Sequence, residues 1–232
     1  MSPRYTGTLL SIVCGNGKGE KTVKKGYSVS FWFFWGGLLS CAAFLAFSLL
    51  IHSNLVNDTD HHQLLAVYSQ RTPECTSVFI FIQQLGSKNT LFPILAAGGL
   101  YLILFNRLYD VVFLFSSVWG AYVINGLLKN YFHRPRPSFG MLLQENSFGY
   151  PSRHTMLAVA FYGGIGMLIW MNKKMSDFLL MKLAVLTAAI ILLIGFSMVY
   201  LGAHFPSDIM GGLLAGTSWL FFCGAWYQKA RK

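Results

Sequence analysis

Apolar residues in this chain come in long blocks separated by short polar punctuation. Six blocks approach the length of a bilayer-spanning helix, at residues 28–51, 89–105, 111–128, 154–171, 183–203 and 209–226. The second and third are short and share a tight turn at Asn106–Asp110. Segment 76–88, TSVFIFIQQLGSK, is apolar but too short to cross, so it is expected at the interface or packed on the bundle. Residues 52–75 read as a polar loop. Neither an internal repeat nor a separating linker is evident. The pattern therefore predicts an all-α integral membrane bundle of six transmembrane helices with short loops over residues 28–226. A basic tail at 1–27 precedes it and another at 227–232 follows.

Composition agrees with the blocks. Charged residues make up 11% of the chain and hydrophobic residues 54%, whereas a soluble domain carries about a quarter of its residues as charges. The net charge of +10 does not mark a nucleic-acid binder, because the basic residues are not gathered on one soluble face. Their distribution follows topology instead. With the N-terminus in the cytoplasm, 12 of the 18 Lys and Arg fall inside, and both termini are then cytoplasmic. Trp32, Trp35, Trp170 and Trp226 fall at the cytoplasmic interface, as an aromatic belt does. The first block has a basic lead-in but exceeds a signal-peptide core in length and lacks a clear cleavage site, so it is read as a retained anchor. Cys14, Cys41, Cys75 and Cys223 show no disulfide or zinc spacing.

Four of the six outer basic residues cluster within 129–153, against the topology rule. Three stretches at the outer helix ends account for them: KNYFHRPRPS at 129–138, PSRH at 151–154, and SMVYLGAHFPSD at 197–208. An up-down bundle brings all three to the same side. Lys129 and Arg136 supply positive charge, and an arginine fork matches phosphate oxygens. Pro135 and Pro137 restrict the backbone around Arg136. Ser152 is a good N-cap for the fourth block, whose free N–H groups favour an anion, and His154 lies in its first turn. Pro206 suits the first turn of the last helix, and Asp208, four residues after His204, can reach one of its ring nitrogens. Two histidines, a carboxylate and several cations describe phosphoryl transfer, in which one histidine attacks phosphorus and the other protonates the leaving oxygen.

In these stretches the chain resembles the type-2 phosphatidic acid phosphatase superfamily, membrane lipid phosphate phosphatases that share their site with vanadium haloperoxidases. That pattern reads K-x6-R-P, then P-S-G-H, then S-R-x5-H-x3-D. Lys129, Arg136 and Pro137 match the first part, Pro151, Ser152 and His154 the second, and Ser197, His204 and Asp208 the third. The resemblance spans roughly residues 76–226. It implies that His204 is the nucleophile forming a phosphohistidine, that Asp208 orients it, and that His154 is the general acid. Lys129, Arg136 and the Ser152 region would hold the phosphate. It implies no metal and no other cofactor. The partners it implies are a phospholipid or polyprenyl phosphate substrate and the bilayer, with neither nucleic acid nor an obligate protein partner. An outward-facing site favours undecaprenyl pyrophosphate as substrate, followed by phosphatidylglycerol phosphate and phosphatidic acid. The bare plan fits a bacterial inner membrane.

Two positions depart from the pattern. Arg153 stands in place of glycine, and Met198 in place of the second arginine. Arg153 is accordingly expected to supply the guanidinium that position 198 lacks and to bind phosphate. The methionine also keeps open a phosphate-lipid-binding protein without turnover, and a lipid phosphotransferase is a further alternative. Transport ranks low because the helix centres carry no charged pathway. Arg134 is left undecided between substrate and headgroup, and His133 is read as structural or exposed. Glu145 is read as a solvated loop charge in preference to a specificity residue. His52, His61 and His62 lack ligand spacing. Gly211 and Gly212 are expected to permit close helix packing.

Overall fold

The computed structural model describes residues 28–143, 145–172 and 175–231. The expected tail at 1–27, and Lys173, Lys174 and Lys232 of the charge pattern, lie outside the described residues. Among the described residues nine α-helices form: α1 (Val29–His52), α2 (Asn57–Tyr68), α3 (Pro73–Gln84), α4 (Lys88–Leu104), α5 (Leu108–Phe132), α6 (Arg153–Ala158), α7 (Gly164–Asn172), α8 (Asp177–Tyr200) and α9 (Pro206–Ala230). A π-helical turn at Val159–Gly163 joins α6 to α7. Among the described residues there is no β-strand.

Among the described residues five stretches are long and apolar enough to cross a membrane: α1, α5, α6 through α7, α8 and α9. The run at 89–105 behaves differently. It forms the 17-residue α4, and α3 precedes it across a break at Leu85–Ser87. Together α3 and α4, bent by 42°, have the length and apolarity of one broken span. Segment 76–88 is thus half of a bent helical pair, and its Phe79 packs on Phe196 and Tyr200 of α8.

The polar stretch 52–75, expected as a loop, contains α2. Its mean character is polar, so local amphipathicity does not explain it. Two buried anchors do: Leu64 enters an apolar cluster with Met198, Val199, Ala203, Phe205 and Ile209, and Asp60 is bound by an arginine from another loop. Tertiary packing supplies what propensity withholds. The helix ends follow familiar rules. Ser176 caps α8 through Leu179 N–H, so that helix starts six residues before the expected boundary. Pro206 opens α9, which runs on through Tyr227 to Ala230.

α1 lies along α9, where Ser40 donates to Leu214 O (2.8 Å) and Ser218 to Gly37 O (3.0 Å). Trp219 of α9 donates to Ser117 O of α5 (3.0 Å). The π turn offsets the backbone ladder, and Ser117 Oγ donates to the Ala160 carbonyl there (3.0 Å). The main core lies between α1, α5, the α6–α7 span and α9. Gly211 and Gly212 face Tyr150 and Ser152, which pack directly on the start of α9. The described cysteines, Cys41, Cys75 and Cys223, are free thiols. Trp32, Trp35 and Trp226 stand exposed at the bundle end opposite the three motif stretches.

Candidate active site

α5 runs past the block end expected at 128 and stops at Phe132. His133 adopts the left-handed conformation (φ 48°) and its N–H returns to Lys129 O, after which the two prolines hold the chain extended. The loop then folds back on itself: Gly149 N–H donates to Arg134 O (2.7 Å). At the other side, α8 ends at Tyr200, and a turn through Gly202 (φ 76°) lets Ala203 and His204 N–H both donate to Met198 O, at 3.0 and 3.2 Å. Ser152 N–H donates to Asp208 O (2.9 Å), which ties the start of α6 to the start of α9. Ser152 Oγ caps α6 by accepting from Thr155.

His204 is 1% exposed. Its Nδ1 lies 3.2 Å from Asp208 Oδ2, and its Nε2 lies 3.2 Å from Arg136 Nη1. A guanidinium only donates, so Nε2 must present its lone pair and Nδ1–H must donate to the carboxylate. Burial first, and then the charges of Arg136, Lys129, His154 and Arg153, push the His204 pKa well below the usual histidine range. The ring is therefore neutral, with its Nε2 lone pair facing the Arg136 guanidinium. That is the state a nitrogen nucleophile requires.

Arg136 is fixed on several sides. It donates through Nε to Ser147 O (2.7 Å), through Nη1 to Ala203 O (2.6 Å), and through Nη2 to Ser147 Oγ (3.1 Å). Glu145 lies 3.4 Å from Nη2. The reading of Glu145 as a solvated loop charge is thereby corrected: the fold-back of the loop pairs it with Arg136. Lys129, almost fully buried, donates to the carbonyls of Phe148 and Gly149. His154 and Arg153 line a cavity of about 530 Å³, together with Gln83, Ser87, Lys88, Glu145 and others. Arg153 also approaches Asn125 Oδ1 (3.4 Å) and the face of Tyr122. Met198 is fully buried in the apolar cluster with α2, so its side chain takes no part in a polar site.

A second tier of the site had escaped sequence reasoning. Arg134 Nη1 donates to Asp208 Oδ1 (2.7 Å), and its Nη2 donates to Asp60 Oδ2 (2.7 Å). Asp60 also accepts from Ser207 N–H (3.0 Å) and from the Ser207 hydroxyl. Burial opposes the charge on Arg134, yet the two carboxylates outweigh it and raise its pKa. Arg134 thus locks the far oxygen of the carboxylate that faces His204. Phe205 N–H holds the near oxygen (3.0 Å). Asp60 and Ser207 are 147 positions apart, and no spacing signal connects them. His133 is exposed, its ring against Phe148. His61 packs against Phe205 and Phe139.

Residues 110–232, just over half of the chain, match the PAP2 superfamily. The chain belongs to that superfamily. It is similar to phosphatidylglycerophosphatase B of Bacillus subtilis (strain 168), with 28% identity over 189 residues, 82% of this chain and 93% of that protein. The solved transmembrane PAP2-type phosphatidylglycerolphosphate phosphatase from Bacillus subtilis superposes with a TM-score of 0.78 at 27% identity, covering 85% of this chain and 98% of the other. Aquifex aeolicus LpxE gives a TM-score of 0.55 at 25% identity over 72% of this chain and 93% of its own. The chain is a PAP2-type integral membrane phosphatase, a hydrolase related to enzymes of lipid phosphate chemistry.

Proposed function

We propose that the protein hydrolyses a phosphomonoester or diphosphate on a membrane lipid through a phosphohistidine on His204. The observation that carries this reading is the Arg136–His204–Asp208 array, in which one ring nitrogen faces a cation and the other a carboxylate. His204 Nε2 attacks phosphorus, and Asp208 stabilises the imidazolium that forms. Lys129, Arg136, Arg153 and the Ser152-capped start of α6 hold the phosphoryl oxygens, whose charge they stabilise in the transition state. His154 donates its proton to the leaving lipid oxygen. It then takes a proton from the water that cleaves the phosphorus–nitrogen bond and releases phosphate. This sequence of steps asks for no metal.

The α3–α4 pair counts as one broken crossing in this reading, which makes six spans over residues 28–226 with both termini cytoplasmic. The site then faces outward in a bacterial inner membrane, and the lipid enters sideways with its tail in the bilayer. Undecaprenyl pyrophosphate, phosphatidylglycerol phosphate and phosphatidic acid are the candidate substrates. The relatives, named for phosphatidylglycerolphosphate, support the second of these.

The test is phosphate release from those three lipids by purified protein in detergent with EDTA present, beside His204→Ala. Release by the wild type that disappears in His204→Ala is expected. Release that persists in His204→Ala would remove the nucleophile from this scheme, and loss of wild-type release in EDTA would remove its independence of metal. A folded wild type that releases no phosphate, from any of the three, would favour the binding protein to which Met198 points.

A further inference from the structure

The break between α3 and α4 sits against the start of α6, and glycine is the reason. A Cβ on Gly86 would stand 2.5 Å from a methyl of Ile194 and 3.3 Å from the His154 carbonyl oxygen. Tyr162 donates to Leu85 O (3.0 Å) and pins the same elbow to the α6–α7 span. Lys88, the first residue of α4, is therefore delivered to the cavity that holds His154 and Arg153. Its Nζ lies 6.0 Å from the centroid of the Tyr122 ring, and Arg153 Cζ lies 5.6 Å from the same centroid.

Two cations thus share one aromatic ring. Among the described residues neither has a carboxylate partner, and the one acid lining the cavity, Glu145, is turned to Arg136. Like charges gathered without a counterion, beside the neutral polar side chains of Gln83, Gln84, Ser87, Asn89 and Asn146, form a field that an anion would relieve. The reacting phosphate is assigned to Lys129, Arg136 and Arg153 beside His204, and Lys88 lies outside that set, so the anion at Lys88 is a further group that Arg153 reaches as well.

We infer that Lys88, with Arg153, forms a subsite for a second phosphorus group on the same lipid headgroup. The inference rests on the reading of His204 as nucleophile. It makes the protein selective for lipids with two phosphorus groups near the reacting end. These are a diphosphate, where the second is bonded directly, or a phosphodiester one glycerol away. Leu143 and Leu157 supply the apolar wall of the same cavity.

Lys88 is exposed, so Lys88→Met leaves folding intact. The measurement is kcat/KM of the full-length wild type and variant on polyprenyl diphosphate, phosphatidylglycerol phosphate and phosphatidic acid. Loss of one charge-assisted contact predicts a fall of about tenfold or more on a two-phosphorus lipid, against less than about twofold on phosphatidic acid, with Lys88→Arg restoring the difference. A fall confined to the diphosphate identifies the directly bonded phosphate as the occupant, and one confined to phosphatidylglycerol phosphate identifies the diester. Equal change on all three lipids, or none on any, overturns the subsite. If the wild type and Lys88→Met hydrolyse all three alike while His204→Ala is inactive, the subsite fails and the nucleophile stands. A wild type inactive on all three lipids sinks both.

Discussion

Asp60→Asn tests whether the buried pair behind the candidate triad has a hand in catalysis. The carboxylate of Asp60 is only 4% exposed and accepts from Arg134 Nη2 at 2.7 Å and from Ser207 N–H at 3.0 Å, besides the Ser207 hydroxyl. The amide is nearly isosteric, so no cavity opens. Its NH2, however, cannot accept from the guanidinium, and its neutral oxygen holds the remaining donors less strongly. Arg134 keeps Asp208 as a partner at 2.7 Å. The loss should therefore fall near or below the lower end of the roughly 3–5 kcal/mol seen when a buried ion pair loses one member. Once Asp60 no longer anchors Arg134, the guanidinium holds Asp208 Oδ1 less rigidly, and the carboxylate can shift against His204 Nδ1 with Phe205 N–H as its remaining fixed restraint. Misplacement of that order costs about 10- to 100-fold in rate. Asp60 touches no substrate in this scheme, so kcat should carry the loss while KM stays within about twofold. The assay is steady-state phosphate release at saturating lipid, with the melting temperature in detergent measured in parallel. A variant of lowered melting temperature and unchanged kcat would refute the positioning argument and leave Asp60 a stabilising residue alone.

Two further predictions follow from the same geometry. His204 is held neutral in the fold, with its pKa well below the ordinary value, by burial and by the cations around it. The unfolded chain takes up a proton near pH 6.5 and the native protein does not, so stability falls as pH drops below about 6.5, by about 1.4 kcal/mol per unit, until the depressed folded pKa is reached. Melting curves of wild type and His204→Gln between pH 7.5 and 5.5 check this, and the wild type should lose more. Identical slopes would contradict the neutral, buried ring. At the elbow, Gly86→Ala places a methyl 2.5 Å from Ile194 and should cost about 1–3 kcal/mol through overpacking. Because the elbow packs on His154, activity should fall with the melting temperature. A fully active Gly86→Ala protein would mean that the α3–α4 break has more room than its contacts indicate.

Apolar block length is a property of the chain itself, and it was enough for a membrane bundle. Local chemistry was equally legible. The four-residue step from His204 to Asp208 lies within one helical turn once Pro206 starts α9, and Ser152 and Pro137 act on immediate neighbours. The bent α3–α4 pair, α2 and the Asp60–Arg134 lock were not legible, for a common reason. Each depends on contacts between residues far apart in sequence: Gly86 against Ile194, Leu64 against Met198, Asp60 against Ser207. Backbone propensity and periodicity report what a segment does beside its own neighbours. Whether a polar stretch becomes a helix, or a loop arginine faces a carboxylate and not a lipid, is decided by the elements that close around it, because burial makes an unpaired charge costly. Sequence alone thus pointed to a membrane phosphatase and to candidate residues for phosphoryl transfer. Tertiary packing decided which residues surround them and, among the described residues, which cations are left without a carboxylate partner.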